Sequence, residues 1–232
     1  MVAPASATSY TTLTLPLLNV DIRTATEGFL YDPIFPSTPT YNGVPFNLVV
    51  DSDRDTVLWK GEFDIDVNVF GVTQAYTLIN SGFGSFGANN GSVEFLGTNN
   101  ASYKVDLVQG DNIRDHYNGF FVNTTTNPNT TVAFISGNVR LDEQTYDLPD
   151  EFASQTLLTI RFTSFFNDFD PNDINSDPNN HLGPNDYFNG LGIPFIAAAT
   201  VGVNAATVPE PATLALIGVG LVGLGFSRRR RT

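Results

Sequence analysis

Between residues 8 and 207 the apolar side chains recur with a period near two, and no window carries the i, i+3, i+4, i+7 stripe of an amphipathic helix. Strands are therefore expected throughout. The clearest is 63–70, F-D-I-D-V-N-V-F, in which Phe63, Ile65, Val67 and Val69 would face a core while Asp64, Asp66 and Asn68 face water. Such one-sided alternation belongs to an antiparallel sheet with one solvated face. Further strands are expected over 11–15, 44–50, 72–79, 92–96, 103–108, 131–136, 157–166 and 195–203.

Asn42-Gly43, Asn90-Gly91, Asn118-Gly119 and Asn189-Gly190 punctuate these runs with residues that accept positive φ at tight turns. Residues 123–131, rich in Asn and Thr, read as an exposed loop. Nine or more strands with this spacing predict an all-β fold, an antiparallel β-sandwich of jelly-roll type. A chain of 232 residues, 41% hydrophobic, supplies one substantial core, so 8–207 are expected to form a single domain.

The pattern changes at 208–232. Pro209 and Pro211 suit a first helical turn and Glu210 favours the positive end of a helix dipole, so a short hydrophobic helix is expected from Ala212. It would run over fifteen apolar or small residues to Phe226, with Leu214, Leu216, Ile217, Leu221 and Leu224 as its bulk. Its rise of about 22 Å falls short of the hydrocarbon layer, so it would anchor in a membrane only with help from its flanks. Arg228, Arg229, Arg230 and Arg231 follow Ser227. An arginine cluster stays cytoplasmic during insertion, which would leave the body outside.

Val208, Pro209, Glu210 and Pro211, the short glycine-rich apolar helix and the arginine cluster, in that order, resemble the PEP-CTERM sorting signal of Gram-negative bacteria. The resemblance implies recognition by an exosortase, cleavage near 208–211, and passage through the inner membrane to the cell surface or an exopolysaccharide matrix. It covers only the tail. At the other end, Ala5, Ser6 and Ala7 match the small-residue close of a secretory signal, but no basic or apolar region precedes them. Residues 1–7 are expected to be the remnant of such a region, with the signal upstream, or else an ordinary N-terminal segment.

Charge separates body from tail. Four of the eleven Lys and Arg lie in the tail, leaving 1–207 with seven basic side chains against twenty-three of the twenty-four acidic ones. Such a body repels a phosphate backbone, so nucleic acid is not an expected partner. With no cysteine, disulfides, thiolate catalysis and Cys-ligated metals are excluded.

Three constellations could carry chemistry. Asp51, Asp53 and Asp55 form a D-x-D-x-D turn able to aim three carboxylates at calcium, and Glu62 falls where an EF-hand places its last ligand. Thr56, where that loop needs Gly, and the flanking strand signals break the match, and a solvated acidic turn is the alternative. Asp168, Asp170 and Asp173, followed by Asp177 and Asp186, crowd a second Asn- and Pro-rich stretch that is either a structural calcium site or a polar loop capping its own turns. Asp111, Arg114 and Asp115, next to His116 and Tyr117, would give a guanidinium held by carboxylates beside a ring, which suits sugar hydroxyls. Equally, Arg114 would be structural, tying its loop to a neighbouring strand. Trp59 is either a sugar platform or a core residue.

Residues 43–46, 72–85 and 110–115 resemble modules of the galactose-binding-like jelly-roll group, over about 40–160. This implies a sandwich whose loops bind sugars, often with a structural calcium. Nucleophile elbows, H-E-x-x-H and phosphate loops are absent, and His116 and His181 lie far apart in sequence. The expectation is an exported, envelope-associated, non-catalytic protein binding carbohydrate or exopolysaccharide. The alternatives are a structural surface or biofilm protein without a specific ligand, and a carbohydrate-active enzyme.

Overall fold

The computed structural model describes residues 8–16, 38–48, 57–58, 61–119, 122–165 and 191–204. The chain divides into a body, Tyr10–Val203, and a smaller unit of Met1–Ser9 with Asn204–Thr232. Within the smaller unit the Thr8 hydroxyl donates to the Asn204 amide oxygen at 2.9 Å.

The described residues form an all-β fold of antiparallel sheets. Its strands are β1 (Thr8–Thr12), β2 (Thr40–Tyr41), β3 (Val44–Pro45), β4 (Val57–Leu58), β5 (Gly61–Phe70), β6 (Gln74–Gly82), β7 (Asn89–Gly97), β8 (Ser102–Val108), β9 (Thr130–Ser136), β10 (Val139–Asp147), β11 (Thr156–Ser164) and β12 (Ile193–Asn204). One sheet runs β1-β12-β6-β10-β9, with β4 also pairing β12. The other runs β5-β11-β7-β8, and β2-β3 make a small ribbon. The chain crosses between the two large sheets after β4, β5, β6, β8, β10 and β11, which makes a β-sandwich.

β5 behaves as its alternation requires. Ile65 is buried and Phe63, Val67 and Val69 are half-buried, while Asp64, Asp66 and Asn68 are exposed. Asn68 has φ of 56° and sits in a bulge where two residues of β5 oppose one of β11. Between the sheets, Ile65, Val93, Phe95, Ile160 and Phe162 meet Ala75, Ile79, Ile196 and Val201. The rings of Phe63 and Phe162 stack at 4.9 Å.

β6 and β12 lose their alternation because both of their faces are covered. Val44, Phe46 and Leu48 lie over Tyr76, Leu78, Leu141 and Phe195 on the side away from the first core. Burying each such large apolar side chain contributes about 1.5–3 kcal/mol. The cover is tied down where the Thr200 hydroxyl donates to the Pro45 carbonyl at 2.7 Å.

Several sequence expectations need correction. The strand expected over 44–50 leaves the ladder after Pro45, because 46–48 turn to cover the sheet; 49–50 lie outside the described residues. The strand expected over 72–79 begins at Gln74 and continues to Gly82. Asn42-Gly43 is a tight turn, with φ of 49° and 87°. Asn90-Gly91 is no turn but part of β7. A Cβ on Gly91 would come within 2.0 Å of the Thr163 carbonyl oxygen, so glycine there permits close approach of β7 and β11. Asn118-Gly119 has no positive φ, and the Asn118 N–H instead donates to the Asn138 carbonyl at 2.6 Å.

β10 was not anticipated at all, since V-R-L-D-E-Q-T-Y-D carries three consecutive buried polar or charged side chains, Asp142, Glu143 and Gln144. Asn189-Gly190, Trp59, residues 1–7 and the helix expected over 212–226 lie outside the described residues. Among the described residues no helix is long and apolar enough to cross a membrane.

Candidate functional site

β6 and β10 pair from Gln74 opposite Asp147 to Leu78 opposite Glu143, and beyond that point they part. Residues 113–117 run into the gap. The Ser81 N–H donates to the Arg114 carbonyl at 3.0 Å, His116 N–H to Ser81 at 2.9 Å, and Arg140 N–H to His116 at 3.0 Å. The insertion carries polar side chains into a region closed to water, where each needs a partner.

Asp142, 1% exposed, is the hub. Its two carboxylate oxygens accept Arg114 Nε and Nη2 at 2.7 Å each, and Asn80 Nδ2 donates to Oδ2 at 2.7 Å. Asn80 Oδ1 in turn accepts the Asp142 N–H at 2.8 Å. Arg114 Nη1 and Arg140 Nη2 both donate to the Asn123 carbonyl, at 3.0 and 2.7 Å. A guanidinium fork of this kind fixes orientation as well as charge. One carboxylate thus binds together β6, β10 and the inserted segment.

Asp115, next in line, accepts the backbone N–H groups of Phe83 and Tyr117. Burial pushes its carboxyl up to about 7, and those donors and the Arg140 charge oppose the rise. Burial, then the Arg140 charge, pushes His116 down to about 3, so its ring is neutral at ordinary pH. That ring stands edge-on to Phe195 at 5.5 Å. Beside this knot, Gln109 Oε1 accepts the Ser81 hydroxyl at 2.8 Å and Asn90 Nδ2 at 2.7 Å, and Asn90 Oδ1 accepts the Gly192 N–H at 2.7 Å.

The three residues expected to form a sugar clasp are therefore distributed differently from their sequence neighbourhood. Arg114 is held by Asp142, twenty-eight residues away, and neither Asp111 nor Asp115 is its carboxylate partner. Asp111 Oδ1 accepts the Thr126 hydroxyl at 2.7 Å and its carbonyl accepts the Thr126 and Asn127 N–H groups, which anchors the loop before β9. Asp51, Asp53, Asp55, Asp168, Asp170 and Asp173 lie outside the described residues. Among the described residues no group of three or more His, Asp and Glu is placed to hold a metal ion.

A different site opens between β8, at the edge of one sheet, and β10 in the other. It is a cleft of about 220 Å³ lined by Tyr103, Asn127, Asn129, Gln144, Tyr146 and Asp147, among others. Its walls are fixed from behind. The Tyr103 ring stacks on Phe95 at 6.1 Å and 22°, and Phe95 packs on Tyr146 at 5.1 Å. The Asn129 carbonyl accepts the Thr145 N–H at 2.9 Å, and Asn127 Oδ1 accepts the Asn129 N–H at 3.0 Å, which sets the loop as a turn. Gln144, 2% exposed, accepts the Tyr146 hydroxyl at 2.9 Å through Oε1. Asp147 accepts Gln74 Nε2 at 2.8 Å at the rim. None of the lining residues is Lys or Arg.

Sequence reading missed this cleft because its second wall belongs to β10. The two asparagines at alternate positions 127 and 129 were the available signal, but nothing local joins them to Tyr103.

Residues 207–231 match the family model of the PEP-CTERM protein-sorting motif. The chain carries that sorting signal. A PEP-CTERM motif implies an exported protein, processed by an exosortase and sorted to the cell surface. None of the curated proteins matches the chain.

Proposed function

We propose that the body is a non-catalytic carbohydrate-binding sandwich, displayed outside the cell by its PEP-CTERM tail and holding glycan or exopolysaccharide matrix. The observation that supports it is the cleft between β8 and β10, where a tyrosine ring, amides and a carboxylate meet on a rigid frame. Sugars are bound by that combination, a ring against their C–H face and bidentate polar groups for their hydroxyls. A glycan array probed with the full chain, with and without calcium, tests the reading. Selective binding to one glycan class is the expected outcome. Flat binding under both conditions would favour a structural surface protein without a ligand. Hydrolysis of an array polysaccharide, lost on replacing one carboxylate, would make the protein an enzyme.

A further inference from the structure

We propose that the cleft between β8 and β10 is a subsite for one neutral hexose unit, with Tyr103 as its platform and Asn127, Asn129 and Gln144 reading its hydroxyls. This assignment rests on the carbohydrate-binding reading above and names the place and the sugar class.

Size comes first. At about 220 Å³ the cleft is smaller than the roughly 300–1,000 Å³ of pockets that enclose drug-sized ligands, so it takes a single ring and leaves the rest of a chain outside. Its position at the open side of the sandwich allows that ring to belong to a longer polymer.

Polarity comes next. An amide offers both a donor and an acceptor, as a hydroxyl does, and three amides line the cleft with two phenols. Gln144 is the sharpest of them. It is almost fully buried and its Oε1 is taken by the Tyr146 hydroxyl, which fixes the orientation of the amide.

Charge then chooses among sugars. Asp147 is the ionisable carboxylate at the rim, no cation lines the cleft, and the chain carries a net charge of −13. A uronate, sulfate or phosphate sugar would be repelled on approach and would find no guanidinium or ammonium inside. A neutral hexose meets no such barrier, and Asp147 can accept from its hydroxyls. Tyr103 and the 127–129 turn are already held by Phe95 and by backbone bonds, so little ordering is needed on binding.

The test is titration calorimetry of the full chain with neutral gluco-, galacto- and manno-oligosaccharides and with oligogalacturonate, for the wild type, Tyr103→Ala and Asn129→Ala. Circular dichroism of each variant checks the fold. Asn129 is exposed, so its variant keeps the test valid should Tyr103→Ala fail to fold. The expected result is binding of a neutral oligosaccharide, weakened about tenfold or more by either substitution, with oligogalacturonate inert. Wild-type affinity in both folded variants would overturn the subsite and leave carbohydrate binding standing elsewhere on the surface. Preferential binding of oligogalacturonate would overturn the charge argument. No heat with any oligosaccharide would overturn the subsite and the wider reading together.

Discussion

Arg114 and Arg161 each grip an aspartate through two nitrogens, Arg114 on Asp142 at 2.7 and 2.7 Å, Arg161 on Asp64 at 2.9 and 3.0 Å. The forks are alike in geometry and opposite in setting. Asp142 is buried where β6, β10 and residues 113–117 converge, whereas Arg161 and Asp64 pair across β11 and β5 on a solvated face, with side chains 34% and 41% exposed. Water and counterions screen the second pair, and holding two long side chains in place offsets most of its attraction. In the first pair desolvation has already been suffered by both charges, so removing either strands the other. The inner fork therefore sets the shape of the inserted segment, and the outer one decorates a sheet that hydrophobic packing already holds.

Breaking each fork in turn sharpens that contrast. Asp142→Ala leaves Arg114 and Arg140 without their carboxylate and is expected to cost about 3–5 kcal/mol in denaturant-induced unfolding. A loss below about 1 kcal/mol would mean that water reaches the knot. A smaller effect is expected at Glu143, next along β10, whose Oε2 is buried without a hydrogen-bond partner and whose carboxyl burial pushes up to about 7. The unfolded chain releases this proton near 4.5 while the folded chain holds it to about 7, so the unfolded state binds fewer protons in that window. Stability contributed by Glu143 is thus present at low pH and lost as pH rises from about 4.5 to about 7, and Asp115 acts in the same direction. Glu143→Gln is expected to raise stability at pH 8 by about 1–2 kcal/mol and to flatten the decline, as read from unfolding curves at several pH values. The smallest effect belongs to the outer fork: Arg161→Ala should leave the thermal midpoint unchanged within error, at low salt and high.

The same contrast explains what could be read from sequence. β5 was legible residue by residue because one of its faces is wet, so polarity alternates with the pleat. β10 was not, because its charges are buried and find partners on Asn80, Arg114 and Asn123, whose proximity no local pattern encodes. Asn90-Gly91 carried the letters of a hairpin turn, but Asn90 serves the buried amide network and Gly91 a close backbone approach. Arg114 has Asp111 and Asp115 as its sequence neighbours, yet its carboxylate partner, Asp142, lies in β10, the strand that the pattern does not announce. The cleft was hidden for the same reason, since Tyr103, Asn129 and Gln144 meet only once β8 and β10 face one another. The sorting motif was legible because it is contiguous and acts as sequence.

The most direct measurement of the whole account is the intact mass of the protein recovered from its native host, taken together with the fraction that contains it. A chain ending within 208–211, found at the cell surface or in the matrix, is the predicted result and would place the sandwich where a glycan-binding role needs it. A chain that retains Arg228, Arg229, Arg230 and Arg231 in the inner membrane would contradict sorting by an exosortase and with it the surface role.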